Sequence, residues 1–177
     1  LGDVYKRQPL VEKAREMGFE THIFAWEEGA VCKNIGDYFY PVSIREIDTI
    51  LEQCKKIKPT GIVSIGSDLA MIAVNTIAHE LGLIGNSIES TELCNNKYFM
   101  RLCLSKAGIE CPKYVKYSKE LCEDNLKGMN YPLIVKPVDR SGSRGVNLVK
   151  VKSDLESAVK EAENESLSDE VIIEEFI

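Results

Sequence analysis

The sequence predicts an α/β protein made of two units, a parallel-sheet unit over residues 9–88 and an α+β unit over residues 89–177. The first half alternates helix-patterned and strand-patterned segments, which is typical of a parallel sheet covered by helices. The second half contains two strand-like runs joined by a short polar loop, which predicts a mainly antiparallel sheet. Ser87 and its neighbours separate the two patterns, so we place the boundary there.

Composition limits the classes of function. The chain has 177 residues, 44% of them apolar and 28% charged, with a net charge of −6. This charge disfavours a nucleic-acid partner, so any anion site must be local. The six cysteines form no C-x-x-C pair, which argues against a metal site and indicates a reducing, cytoplasmic location. No apolar run approaches the roughly 20 residues that cross a bilayer.

The elements of the first half follow from periodicity and from helix-ending residues. Pro9 and Gly18 suit the two ends of a helical stripe. A capping box at Ser43–Glu46 predicts the start of a second helix, which Pro59 ends. The full prediction is helices over 9–17, 43–58 and 69–81 and strands over 20–26, 38–42 and 61–66. The first eight residues, LGDVYKRQ, show no such pattern, and we expect them to be non-native or to follow a missing strand.

The second half predicts the order β-α-β-β-α-β. A helix over 90–107, broken near Asn95–Asn96, leads into it. A capping box at Ser153–Glu156 predicts the start of the last helix. The predicted segments are strands over 111–117, 132–135, 145–151 and 170–177, a short helix and connector over 118–130, and a helix over 153–165.

The connection between the two hairpin strands has a composition suited to phosphate. It follows Lys136 at a strand end and contains two arginines, two serines and two glycines between Val138 and Gly145. Glycine allows backbone N–H groups to approach a ligand closely, and arginine and lysine bind phosphate oxygens. From composition alone, a solvated surface turn is an equally good interpretation.

Taken in order, four motifs resemble those of the ATP-grasp superfamily of carboxylate–amine/thiol ligases. They are Asn96-Lys97 at a helix start, the strand Tyr131–Pro137, the flap Ser141–Gly145, and the strand Val171–Ile177. The resemblance covers nearly the whole chain. It implies a Rossmann-like pre-ATP-grasp domain over 9–88 and the first ATP-grasp subdomain over 89–177.

The resemblance implies a role for each motif in binding ATP. Lys97 and Lys136 are expected near the phosphates, and residues 141–145 are expected to close over them. The segment 174–177 is expected to read adenine through a carboxylate or carbonyl and the Ile177 N–H. The expected nucleotide-binding residues are Lys97, Lys136, Ser141, Gly142, Ser143, Arg144, Gly145, Glu174, Glu175, Phe176 and Ile177.

Several of these positions also have plain structural interpretations. Arg144 is as easily solvated as bound to phosphate. Three apolar side chains are equally consistent with contact to the adenine base and with a place in the protein core: Ile134, Ile173 and Phe176. Ser67-Asp68, at a predicted strand end, suits a contact with a carboxylate substrate, but capping of the next helix by Asp68 is the better interpretation.

The resemblance also predicts what lies outside this sequence. Related ligases carry their Mg²⁺-binding acids after the adenine-reading segment, so we expect the Mg²⁺ ligands beyond residue 177 and no catalytic residue within the chain. On this interpretation the chain is an N-terminal fragment, inactive alone, of a ligase that joins a small carboxylate to an amine through an acylphosphate. The resemblance leaves a homodimer open. A non-catalytic nucleotide-binding module and a flavodoxin-like or receiver-type partner-binding domain are the alternatives.

Overall fold

The computed structural model describes residues 7–117 and 126–177. Within these ranges the chain divides into two compact units, with the boundary between Thr91 and Glu92. The first unit contains a small parallel sheet and the second a four-stranded antiparallel sheet. This confirms the α/β fold class that the sequence predicts. No helix in the described ranges combines the length and apolar character that a bilayer span needs.

The first unit packs helices against two parallel strands. Its elements are α1 (Gln8–Glu16), β1 (His22–Ala25), β2 (Tyr38–Pro41), α2 (Ile47–Ile57), α3 (Asp68–Glu80) and the start of α4 (Ile88–Asn95). β1 and β2 pair in register from His22 and Tyr38 onward. Phe24, Ile50, Cys54 and Ile77 form its buried core, so apolar side chains of α2 and α3 pack together with β1.

Three details of the first unit differ from the sequence predictions. The Ser43 N–H donates to Glu46 Oε1 over 3.0 Å, but these residues form a turn, and α2 begins only at Ile47. The helix is delayed because Glu46 has a non-helical ψ of 60°. At α3, Ser67 rather than Asp68 is the cap, since its side chain accepts the Ala70 N–H over 3.2 Å.

The segment 61–66 is the third difference. We expected a buried strand there, but it is not assigned to a strand in the described structure, and Val63 and Ile65 are exposed. An apolar run carries no information about which of its side chains the rest of the fold covers.

The second unit begins with the end of α4 and with α5 (Lys97–Lys106), and Asn96 separates these two helices as the sequence predicts. Its other elements are β3 (Tyr114–Tyr117), β4 (Leu133–Pro137), β5 (Asn147–Val149), α6 (Leu155–Glu165) and β6 (Val171–Glu175). The predicted helix over 118–130 falls mostly on residues 118–125, which lie outside the described ranges. A 3₁₀ turn over Lys152–Asp154 precedes α6, and no side chain caps that helix, so the predicted capping box at Ser153 is wrong. The Ser153 hydroxyl instead donates to Asp154 Oδ1.

The four strands of the second sheet lie in the order β3-β6-β4-β5. Pairing partners in an antiparallel sheet share a face. Leu133, Val135, Val171 and Ile173 lie on the face that packs against Ala158, Val159 and Ala162 of α6. Each fully buried aliphatic side chain there contributes roughly 1.5–3 kcal/mol.

The opposite face of the same sheet carries the charged groups. Ile134 pairs with Glu174 and Lys136 pairs with Ile172, so all four side chains belong to this face. The alternation of side-chain directions along β4 therefore places Lys136 away from the α6 core. This separation lets a lysine lie in the centre of a strand without entering the apolar core.

Candidate functional site

The charged face of the second sheet holds a cluster of three ionised side chains from α5, β4 and β6. Lys136 Nζ donates to Glu174 Oε2 over 2.5 Å. Arg101 Nε donates to Glu174 Oε1 over 2.8 Å, and Arg101 Nη2 donates to Oε2 over 3.3 Å. The Glu174 side chain is only 4% exposed, whereas Arg101 is 20% and Lys136 17% exposed. The carboxylate is thus the buried centre, and both cations retain access to water.

Two cations hold Glu174 in its ionised form. Burial alone would raise the pKa of this carboxyl, but the hydrogen bonds and charges of Arg101 and Lys136 outweigh burial and lower the pKa below its ordinary value. The hydrogen bond to Glu174 in turn raises the pKa of the Arg101 guanidinium. The cluster as a whole carries a net charge of about +1, because two cations share one anion.

Lys97 is hydrogen-bonded to the residues that directly follow the strand carrying Lys136. Its backbone N–H donates to Val138 O over 2.9 Å, and its Nζ donates to Arg140 O over 2.5 Å. Val138 follows Lys136 by two residues. Asn96 fixes the start of α5, since its Oδ1 accepts the N–H groups of Tyr98 and Phe99. The structure therefore brings Lys97 to the segment that follows Lys136, and a site shared by the two lysines stays a prediction.

The flap, Ser141–Gly145, follows directly after these contacts. Ser141, Gly142, Ser143 and Arg144 are exposed, and Gly145 is buried. Gly142, Ser143 and Gly145 all have positive φ, between 57° and 70°. Arg144 Nε donates to Ser141 O over 3.3 Å within the flap. The flap is thus a tight, exposed turn whose last residue is packed into the unit.

The residues that precede the flap are anchored to the segment around the end of α6. The Arg140 guanidinium donates to Glu165 O, and Asp139 Oδ1 accepts the Ser166 hydroxyl over 3.0 Å. The hydrogen bonds from Ser168, Leu167 and Ser166 outweigh burial and lower the pKa of Asp139. The start of the flap is thus held by hydrogen bonds to another element of the same unit.

The last strand positions the segment that we expected to read adenine. The Phe176 N–H donates to Pro132 O over 3.0 Å, and Glu175 Oε1 accepts the Asn130 N–H over 2.7 Å. Phe176 is 55% and Ile177 91% exposed. Ile173 is fully buried in the core against α6, so it lies on the opposite sheet face from Lys136 and does not wall the same site.

A family model described as "D-ala D-ala ligase C-terminus" matches residues 104–177. The carbamoyl phosphate synthase large chain of Thermotoga petrophila is 29% identical over 145 residues, covering 79% of this chain and 13% of that protein. D-alanine–D-alanine ligase of Helicobacter pylori is 35% identical over 101 residues, covering 56% of this chain and 28% of that protein. These similarities support the resemblance of this chain to the ATP-grasp superfamily of carboxylate–amine ligases.

Solved structures support the same ATP-grasp fold. L-amino acid ligase from Bacillus licheniformis superposes with a TM-score of 0.79 at 22% identity, covering 99% of this chain and 43% of that one. A biotin carboxylase domain dimer from Hydrogenobacter thermophilus, crystallised with MgADP, ADP and bicarbonate, gives a TM-score of 0.74 at 18% identity and covers 96% and 41%. The chain thus spans less than half the length of these relatives.

The candidate site contains one residue that sequence reasoning missed. Arg101 had no assigned role, although it lies four residues after Lys97 on one helix, and this spacing puts both cations on one face. That spacing was the available signal. The partner, Glu174, is 73 residues away in sequence, so only the fold shows the pairing.

The donors around the flap suit phosphate and do not suit a metal ion. They are ammonium, guanidinium, hydroxyl and backbone N–H groups, whereas Mg²⁺ requires oxygen ligands, usually carboxylates. In the described ranges, no group of three or more His, Cys, Asp or Glu side chains is arranged to hold a metal. A shallow cavity of about 470 Å³ lies elsewhere, lined by residues 108–114 and Ser105.

Proposed function

We propose that this chain binds the phosphates of ATP within an ATP-dependent carboxylate–amine ligase. The observation that carries the proposal is the link between Lys97 and the root of the flap, because it joins one phosphate-binding lysine to the strand that presents the other. Lys136 has three N–H donors, and Glu174 accepts from its ammonium through one oxygen. The remaining donors are available for a phosphate oxygen.

The flap supplies the second part of the proposed site. Its residues 141–144 are exposed, and Gly142 and Ser143 have positive φ. Turns can present successive backbone N–H groups to an anion. A closed flap would exclude water from the phosphoanhydride. Arg144 would add charge at the tip.

The base would be read by backbone groups in the segment 175–177. Both carboxylates that the sequence offered for this role already accept hydrogen bonds within the chain, Glu174 from Arg101 and Lys136 and Glu175 from Asn130. We therefore assign the adenine amine to a backbone carbonyl and a ring nitrogen to the Ile177 N–H. Phe176, which is half exposed, would contact the face of the base.

The ligase reaction proposed for the natural protein has two steps. A substrate carboxylate attacks the γ-phosphorus and breaks its bond to the bridging oxygen of ADP, which forms an acylphosphate. An amine then attacks the acyl carbon and releases phosphate. MgADP in the biotin carboxylase neighbour supports a requirement for Mg²⁺, whose ligands we propose lie outside residues 1–177.

Isothermal titration of the 177-residue chain with ATP tests the binding proposal. Replacing Lys136 by Met removes a charge-assisted bond worth about 1.5–3 kcal/mol, so ATP affinity should fall by roughly 10- to 100-fold. Lys160→Met is the matched control, because Lys160 is exposed on α6 and that helix covers the other sheet face. Equal ATP affinity in the wild type and Lys136→Met would overturn the proposed site.

The alternative function is a nucleotide-binding module without catalysis, and it predicts a different result for ADP formation. A ligase forms ADP only when its carboxylate substrate is present, whereas a binding module binds ATP without turnover. Measuring carboxylate-dependent ADP formation by the natural protein separates them. ATP binding without ADP formation across a panel of small carboxylates would favour the module.

A further inference from the structure

Arg101 is close enough to the proposed ATP site to control it without touching the nucleotide. It belongs to α5, one helical turn after Lys97, and its guanidinium lies on Glu174 rather than on the flap. Both oxygens of the Glu174 carboxylate receive a bond from it. This two-point contact fixes the carboxylate plane, and Oε2 then lies at 2.5 Å from Lys136 Nζ.

The net charge of the cluster of Arg101, Lys136 and Glu174 depends on Arg101. A buried Lys136–Glu174 pair alone would be neutral, and a neutral pair offers a phosphate no net attraction. With Arg101 present, one anion is shared between two cations. Glu174 can therefore orient the Lys136 ammonium while the cluster stays positive.

We propose that Arg101 is a positioning residue for the ATP site, because it neutralises and orients Glu174 so that Lys136 keeps its charge and direction for a phosphate. This inference rests on the proposed function. It assigns Arg101 an effect through Lys136, and it assigns Glu174 the role of a scaffold that is needed because a lysine alone on the sheet face would not be held in one direction.

The alternative is that Arg101 only stabilises the fold. Its side chain is 20% exposed and its partner is buried, so removing it would leave a buried carboxylate with a single cation. A structural residue and a positioning residue would both lower stability when replaced. They differ in whether the loss of ATP affinity depends on Glu174 and spares adenosine, which variants of Arg101 and Glu174 can show.

Three variants separate the two roles by isothermal titration with ATP. Arg101→Met makes the cluster neutral and should weaken ATP binding about tenfold, with adenosine binding unchanged because adenosine carries no phosphate. Glu174→Gln removes the carboxylate through which Arg101 acts, so in that background Arg101→Met should cause little further loss of ATP affinity. The double variant Arg101→Met/Glu174→Gln should therefore bind ATP about as well as Glu174→Gln alone. Lys106→Met removes an exposed charge from the same helix and serves as the control.

The double variant decides the inference, since an Arg101 that acts independently of Glu174 predicts a further loss of ATP affinity in the Glu174→Gln background. Circular dichroism and thermal unfolding would establish that each variant is folded. A further tenfold loss of ATP affinity in the double variant, or equal loss of ATP and adenosine binding in Arg101→Met, would overturn the positioning role.

A measurement without nucleotide distinguishes failure of this inference from failure of the proposed function. Carboxyl ¹³C NMR of Glu174 should show a higher pKa in Arg101→Met than in the wild type, because one of its two cations is gone. An unchanged pKa would show that Arg101 does not control Glu174. If wild-type chain bound no ATP at all, the proposed function would be wrong, and this titration would still decide how Arg101 acts on Glu174.

Discussion

Lys97 and Arg140 are joined by a hydrogen bond of 2.5 Å from the Lys97 Nζ to the Arg140 carbonyl oxygen. The bond connects the first residue of α5 to the residue that immediately precedes the flap. A lysine at a helix N-terminus is slightly unfavourable with respect to the helix dipole. The carbonyl oxygens of Val138 and Arg140 offset this by accepting from its ammonium. Lys97 therefore holds the residues that precede the flap.

The other end of the flap gives the first prediction, which concerns Gly145. Gly145 has a φ of +66°, and a Cβ built there would lie 2.9 Å from Glu165 Cβ and 3.0 Å from Pro137 Cγ. Gly145→Ala combines backbone strain with a close contact, so we expect it to lower the free energy of unfolding by about 2–4 kcal/mol. Urea unfolding followed by circular dichroism measures this.

Gly142→Ala is the matched control for that measurement. Gly142 has a similar φ of +70°, but a Cβ there would meet no atom within 4 Å. Its replacement should cost only the backbone strain, about 1 kcal/mol. Equal losses at both glycines would mean that the contacts of Gly145 with Pro137 and Glu165 do not matter.

The second prediction concerns the pH dependence of stability. The pKa of Glu174 lies below its ordinary value of 4.5 in the folded chain, so the unfolded chain binds a proton first as pH falls. The stabilisation is therefore complete above about pH 4.5 and is lost as pH falls through the lower, folded pKa. We expect Glu174→Gln to be less stable than the wild type at pH 7, and this difference should shrink below about pH 4.5.

Urea unfolding between pH 7 and pH 3 tests this prediction, with Glu161→Gln as the control. Glu161 is exposed on α6, so its replacement should leave stability nearly unchanged at every pH. A constant difference between the wild type and Glu174→Gln across this range would contradict a carboxylate that is ionised in the folded state by its two cations.

The sequence was informative where local patterns determine structure. The apolar stripes of α2 and α3, the break at Asn96 and the strand ending at Lys136 all follow from spacing within about one to three turns of chain. It was misleading at Ser43 and Ser153, because a capping box satisfies a turn as well as a helix start.

The cluster of Arg101, Lys136 and Glu174 could not be predicted from local sequence patterns, and the reason is physical. The two cations meet the carboxylate only because β6 inserts between β3 and β4, with Ile134 opposite Glu174. A shift of this register by one residue would turn Glu174 toward α6 and Ile173 toward Lys136. Strand register is a property of the folded sheet. The sequence therefore identified Lys97 and Lys136 as candidate site residues and assigned Glu174 to adenine, but it could not predict that Arg101 and Lys136 bind Glu174.

The third prediction concerns closure of the flap. If phosphates bind beneath Ser141–Gly145, the amide hydrogens of these residues should exchange more slowly with deuterium when ATP is bound, by roughly tenfold or more. Adenosine should bind in the same base site without slowing exchange in the flap, because it lacks the groups that the flap N–H donors would contact. Hydrogen exchange with mass spectrometry, read on peptides that span 139–146, measures both effects.

Two controls make the exchange experiment specific to the phosphate site. Peptides from α3 belong to the other unit's core and should exchange at the same rate with and without ATP. Lys136→Met should abolish the protection at ATP concentrations that saturate the wild type, and Lys160→Met should retain it. Slower exchange with adenosine as well as ATP would indicate a general stiffening of the unit, and the flap would then have no specific role over the phosphates.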